Sequence, residues 1–280
     1  MNNLSPDIKL SAAAAASAAA ATAASSSTSS KIPFRSKKIR KSSSPSSAIE
    51  AIEPSKKPRI LLPVITHPLS TPGELDSALL HLTTADSHLA GVIKSHDPPS
   101  FQNPNTPFLS LSRSILYQQL ATKAAASIYT RFLSLCGGED SVVPDIIAAL
   151  TPHQLRQIGI SARKASYLHD LASKYQSGFL SDSAIIAMDD DALFSKLTSV
   201  KGIGPWTVHM FMIFTLHRPD VLPIGDLGVR RGVQILLGLN KIPLPAEMDE
   251  LCQPWRPYRS AGAWYMWRLV ESNGKARVAS

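Results

Sequence analysis

The segment Val200-Lys201-Gly202-Ile203-Gly204-Pro205-Trp206-Thr207 constrains this chain more than any other. It lies between two stretches with helical apolar spacing. On one side, residues 192–200 follow Asp189, Asp190 and Asp191, acids that a helix N-terminus favours. On the other, Pro205 suits the first turn of a helix, where its missing N–H is not needed. Gly202 and Gly204 open backbone angles closed to other residues. The segment therefore predicts helix, hairpin, helix. Bare N–H groups in such a hairpin approach a phosphate closely, and the second helix N-terminus adds partial positive charge there. Such a contact grips nucleic acid without reading its sequence. A ligand-free αα-turn is the alternative. The rarity of the extended pattern from Leu197 to Thr207 favours the phosphate contact.

The rest of the chain predicts an all-α fold. Residues 73–94 carry Leu75, Leu79, Leu80, Leu82, Leu89, Val92 and Ile93 near a 3.6-residue period. Pro98, Pro99, Pro104 and Pro107 mark a loop. Residues 108–135 form a long helical stretch broken near Gln119–Thr122, and Cys136-Gly137-Gly138 ends it. Thr151 and Ser161 stand as N-caps for a short helix ending at Gly159 and for one running to about Gln176. The helix after Pro205 carries Val208, Met210, Phe211, Ile213, Phe214 and Leu216, apolar nearly all round, and belongs at the centre of the fold. Asp226 opens a helix through Leu237, and residues 258–271 form the last. Strand-like alternation is scarce, and no internal repeat is detected.

Charge is unevenly placed. The 280 residues carry a formal +8, but residues 31–60 hold nine Lys and Arg against two Glu, a net +7. Any nucleic-acid affinity of the folded part must come from backbone amides, helix ends and local patches, not from net charge. Residues 1–65 predict a disordered tail. Residues 11–30 are almost all Ala, Ser and Thr without an apolar face. Lys37-Lys38-Ile39-Arg40-Lys41 and Lys56-Lys57-Pro58-Arg59 have the composition of nuclear-import signals. An organelle transit peptide is the alternative destination signal. Two cysteines, Cys136 and Cys252, exclude a disulfide framework and a four-cysteine metal or iron–sulfur site. No apolar run approaches the ~20 residues needed to span a bilayer, so no membrane partner is expected.

Five segments together resemble one family. They are Ser114-Ile115-Leu116-Tyr117-Gln118-Gln119-Leu120-Ala121-Thr122-Lys123-Ala124-Ala125, Gly159-Ile160-Ser161-Ala162-Arg163-Lys164-Ala165, the glycine hairpin, Leu222-Pro223-Ile224-Gly225-Asp226-Leu227-Gly228, and Trp255-Arg256-Pro257-Tyr258-Arg259-Ser260. In that order they resemble the helix-hairpin-helix (HhH-GPD) DNA glycosylases, in the 3-methyladenine DNA glycosylase II branch. The resemblance covers roughly residues 70–275 and implies a glycosylase domain over residues 66–280. It implies two helical subdomains, residues 107–215 and residues 71–95 with 216–280, and a cleft between them that takes an extruded base.

The resemblance also implies roles. Asp226 matches the family's catalytic aspartate. A carboxylate there would stabilise the oxocarbenium-like sugar formed as an N-glycosidic bond breaks, and would orient the attacking water. An N-cap is the bland reading of the same residue. Trp206 stands where bifunctional relatives carry a nucleophilic lysine, so hydrolysis without strand cleavage is implied. Trp206, Tyr117 and Trp255 are candidate aromatic walls for a flipped cationic purine, as against plain core residues. Met210 replaces a tyrosine of some relatives in the same pocket. Gln119 and Leu120 match the wedge that fills the gap left by the base. Lys201, Gly202, Ile203, Gly204 and Thr207 form the phosphate-binding hairpin, whose carbonyls at Val200 and Ile203 could hold a monovalent cation. Trp264, Trp267 and Leu269 read as core. Arg256 and Arg259 either meet phosphates or cap nearby carboxylates.

The expectation is a monomeric, monofunctional glycosylase of alkylated purines, needing no cofactor. It would act on double-stranded damaged DNA ahead of abasic-site processing enzymes, in the nucleus. A glycosylase of other damaged bases and a non-enzymatic DNA-binding module are the rivals. A lysine at 206 would favour the first and a missing carboxylate at 226 the second.

Overall fold

The computed structural model describes residues 66–279, with side chains through Gly274. The tail read as disordered, with its basic clusters, lies outside the described residues. Among those described there are thirteen α-helices, two short 3₁₀ turns and no strand.

The helical period over residues 73–94 is carried by two helices, α1 (Glu74–Ala85) and α2 (Ser87–Ser95). Asp86 breaks them apart by taking an extended conformation, and its carboxylate caps α2 by accepting from the N–H groups of His88 and Leu89. The apolar period continues across this break, so periodicity alone does not show it.

The middle of the chain is capped largely as its residues dictate. Thr106 caps α3 (Pro107–Tyr117), which a short loop divides from α4 (Thr122–Cys136). Helix α5 (Pro144–Ala149) follows. Thr151 and Gln154 form a reciprocal capping box on α6 (Pro152–Gln157). Ser161 caps α7 (Ala162–Gln176), Ser181 caps α8 (Asp182–Ala187), and Asp189 caps α9 (Asp190–Thr198). Helix α10 (Pro205–Phe214) buries Thr207, Val208, Met210, Phe211, Met212 and Ile213, which explains its apolar circumference. Asp226 caps α11 (Leu227–Leu237). After α12 (Met248–Leu251) and a 3₁₀ turn, α13 (Arg259–Ala279) closes the chain.

Packing sorts the helices into two groups. One joins α3 to α4, α7, α8 and α10, with α5 and α6 on α7 and α9 on α10. The other lays α11 along α13 and places α1 and α2 against that pair. The first helices thus return to the last ones. Polar ties secure the return: Tyr258 donates its hydroxyl to Glu74 at 3.0 Å, and Leu69 N–H bonds the carbonyl of His217 at 2.8 Å.

Arg256 and Arg259 take the carboxylate alternative. Arg259 is buried and bonds Asp220 through Nε at 2.6 Å and Asp249 through Nη1 at 2.7 Å. Arg256 reaches the same two carboxylates at 3.1 and 3.0 Å. The four charges clamp the loop after α10 to the start of α13.

Candidate active site

The hairpin between α9 and α10 is built around one glycine. Gly202 has φ +81, and a side chain there would also fail sterically, since a Cβ would lie 2.2 Å from the ring of Tyr167 on α7. Gly204 differs from its expected role. Its φ is −98, a conformation open to any residue, and a Cβ there would meet nothing within 4 Å. Its lack of a side chain clears the approach to the backbone instead of permitting the turn.

The donors left for an anion follow from hydrogen-bond accounting. Lys201 N–H is taken by Asp170 Oδ2 at 3.0 Å, and Ile203 N–H by the carbonyl of Val200 at 3.1 Å. Among the described residues no internal acceptor is found for the N–H groups of Gly202 and Gly204. These, with the free N–H groups of the first turn of α10, converge where the helix end is positive. The Ile203 and Thr207 side chains turn inward and are buried, so they serve the hairpin through backbone only. Lys201 is exposed and lies 3.7 Å from Asp170.

Asp226 sits at the N-cap of α11 and is only 2% exposed. Three donors converge on its carboxylate. Oδ1 accepts from Val229 N–H at 2.8 Å and from the Trp267 indole at 2.9 Å. Oδ2 accepts from the Trp206 indole at 2.8 Å. The cap reading of Asp226 is met, and the same carboxylate lies under two indole donors. Trp206 lies in the first turn of α10, so the hairpin and the carboxylate share a side chain.

Trp267 corrects the reading of the final helix as core alone. It is buried, yet its polar edge serves Asp226. Its place is made by Gly228, where a Cβ would come within 2.8 Å of the Trp267 ring. A glycine inside the first turn of α11, two residues after the aspartate, was the available signal of that close approach.

Trp255 is corrected the other way. It is 1% exposed, and its indole donates to Asp86 Oδ2 at 2.8 Å, at the break between α1 and α2. It packs the C-terminal group and does not reach Asp226. The core reading of this residue holds.

Tyr117 and Met210 do meet, in a cavity of about 300 Å³ whose walls also include Ser110, Arg113, Phe211 and Phe214. Arg113 lies over the rings of Tyr117 and Tyr129, 5.2 and 5.1 Å from their centroids. Burial pushes the Tyr129 phenol well above its usual range, and its hydroxyl donates to Glu139. Asp226 and Trp206 do not line this cavity. The connection runs through Phe214, whose ring lies against Trp267, centroids 5.7 Å apart. Asn103 in the Pro-rich loop donates to the carbonyl of Phe214 at 3.1 Å and roofs the cavity from the side. A base-sized space and a carboxylate thus stand on two sides of one aromatic pair.

The wedge candidates differ in exposure. Gln119 is exposed at the tip of the loop between α3 and α4, with φ +54. Leu120 is half-buried, and both border a small hollow with Ile128, Ile160 and Lys164.

A single glycine-turned hairpin whose second helix touches a roofed carboxylate defines a helix-hairpin-helix protein of the nucleic-acid-processing kind. The chain belongs to the HhH-GPD superfamily of base excision DNA repair proteins, whose family model matches residues 112–257. It is 32% identical over 206 residues to DNA-3-methyladenine glycosylase 1 of Schizosaccharomyces pombe, across 70% of this chain and 90% of the relative. Among solved structures it resembles the Schizosaccharomyces pombe 3-methyladenine DNA glycosylase in complex with abasic DNA, with a TM-score of 0.60, 33% identity and coverage of 69% and 95% of the two chains. A DNA-3-methyladenine glycosidase of Bacillus halodurans gives a TM-score of 0.66 at 31% identity, covering 75% and 94%.

Proposed function

We propose that this protein is a monofunctional DNA glycosylase that releases alkylated purines, of the 3-methyladenine and 7-methylguanine type, by hydrolysis. The observation that carries this is Asp226, placed under two indole donors beside the hairpin. The named activities of its relatives support the substrate class.

The chemistry divides among the residues. N–H groups of Gly202 and Gly204 and the N-terminus of α10 hold a backbone phosphate near the lesion. Gln119 enters the duplex where the nucleotide leaves it. The base enters the cavity lined by Tyr117, Met210 and Phe214. Purines methylated at N3 or N7 are cationic, so they leave without a general acid, and an aromatic surface attracts them. As the glycosidic bond lengthens, positive charge grows on the sugar. The Asp226 carboxylate stabilises that charge and orients water toward the anomeric carbon. Trp206 has no amine, so no Schiff base forms at this position and the strand stays intact.

Arg113 in the cavity wall favours a second specificity. A guanidinium donates well to a purine 6-oxygen, which 7-methylguanine and hypoxanthine both carry. Hypoxanthine therefore belongs in the substrate panel. We read the paired lysine clusters as directing the chain to the nucleus, where enzymes that process abasic sites take over its product.

The test is release of 3-methyladenine, 7-methylguanine, hypoxanthine and ethenoadenine from defined duplexes, with borohydride present in a parallel reaction. Release without a trapped protein–DNA adduct is expected. Efficient trapping would overturn the monofunctional reading, and silence on all four bases would favour a binding module.

A further inference from the structure

The loop between α3 and α4 is fastened to the hairpin through Gln118, a residue that the reaction described above does not use. Its side-chain amide donates from Nε2 to the carbonyl of Gly202 at 2.8 Å. Both neighbours of this bond are held from α7. Arg163 Nη2 donates to Gln119 Oε1 at 3.2 Å, and Lys164 Nζ donates to the carbonyl of Leu116, at the end of α3, at 2.6 Å. One turn further along α7, the ring of Tyr167 lies against Gly202, and Asp170 accepts the N–H of Lys201. Arg163, Lys164, Tyr167 and Asp170 follow one another along one side of the helix. A single rigid helix therefore supports both the loop and the hairpin, and Gln118 is the direct bond between them.

Gln119 makes the arrangement consequential. Its φ of +54 is a conformation that residues with side chains adopt only when their surroundings hold them. The holding groups are Gln118 before it and Arg163 on its amide. The tip is thus aimed by the same contacts that tie it to the hairpin.

We propose that Gln118 is a positioning residue that registers the duplex-entering loop against the backbone-gripping hairpin, so that both act on one nucleotide. The proposal rests on the glycosylase reading of the site. Two contact points on a duplex extrude a chosen base only if their spacing is fixed. A misplacement near 1 Å is enough to cost about 100-fold in rate.

The test uses the full chain and three variants, Gln118→Leu, Gln118→Lys and Gln119→Ala. Leucine removes the donor at similar size, while lysine keeps a donor that reaches the Gly202 carbonyl. The probe is a duplex with 2-aminopurine beside a tetrahydrofuran abasic analogue, whose fluorescence rises when the neighbouring stack opens. Affinity for undamaged duplex, kcat and KM on alkylated duplex, and Tm are measured alongside. Gln118→Leu is expected to lose most of the fluorescence rise and about 10–100-fold in kcat. Its KM, Tm and undamaged-duplex affinity should stay near wild type. Gln118→Lys should recover most of the loss, and Gln118→Leu should add little to Gln119→Ala. A full fluorescence rise with wild-type kcat overturns the proposal. So does a loss that follows Tm, a loss shared equally by undamaged-duplex affinity, or full additivity with Gln119→Ala. The fluorescence readout needs no base release. A wild type that opens the stack but releases no alkylated purine would sink the glycosylase reading and still leave Gln118 testable.

Discussion

The Trp206 indole N–H donates to the Asp226 carboxylate at 2.8 Å, joining the first turn of the hairpin helix to the cap of the helix after it. The glycine hairpin and the carboxylate proposed to act on the sugar are therefore one connected unit. Asp226 needs both ends of this connection. Its own helix supplies one donor, while the hairpin helix and the last helix each supply an indole.

Trp206→Phe keeps an aromatic ring and deletes this donor. The carboxylate retains Val229 N–H and Trp267, so a modest stability loss of about 1 kcal/mol is expected. Single-turnover excision should fall, but by less than on removing the carboxylate itself. Thermal denaturation and quenched-flow base release check the two parts separately.

Trp267→Phe removes the second indole donor and trims the contact with Phe214. Loss of about 1–3 kcal/mol is expected, together with a fall in excision of about 10-fold or more. Trp264→Phe is the control. That residue is equally buried, yet its indole makes no bond to Asp226, so it should cost stability without a matching loss of excision.

The two hairpin glycines should respond differently. Gly202→Ala meets both a left-handed backbone and the Tyr167 ring, and should destabilise the fold by more than about 1 kcal/mol. Gly204→Ala meets neither obstacle, so the fold should hold while affinity for duplex DNA drops. Denaturation curves beside salt-dependent binding titrations distinguish the outcomes.

Lys164 gives a pH dependence with a definite sign. Burial, with the Arg163 charge adding to it, lowers its ammonium from 10.5 to about 8. Below about 8 the folded state bears the whole cost of that buried charge. Between about 8 and 10.5 the folded protein sheds the proton while the unfolded chain keeps it, so this residue's contribution to stability improves as pH rises. The stability difference between wild type and Lys164→Met should shift toward wild type across that window. Urea denaturation at several pH values measures it.

Much of this was legible in the residues, for local physical reasons. Thr151, Ser161 and Asp189 cap helices because their side chains reach N–H groups three residues on, a rule that needs no tertiary contact. The hairpin was readable because its glycine spacing specifies it, and Asp226 as a helix cap because of its residue type. Tertiary choices were not. Trp255 and Trp267 are alike as residues, and each donates to a carboxylate, half-buried Asp86 for one and buried Asp226 for the other. Which indole joins the site depends on how α11 lies along α13, a close approach that Gly228 hints at without naming its partner. The break at Asp86 was hidden for a related reason: its apolar neighbours keep helical spacing while its extended backbone ends one helix and its side chain caps the next.

If Asp226 drives base release, as proposed, wild type and Asp226→Asn must differ on methylated duplex. The asparagine amide keeps the size but turns an N–H toward the Trp206 indole, so a Tm reading should accompany the rates. Wild type is expected to free 3-methyladenine and 7-methylguanine and to leave an uncut strand with an abasic site. The folded variant should be slower by about 100-fold or more. A folded Asp226→Asn protein releasing base at the wild-type rate would contradict the proposed role of Asp226.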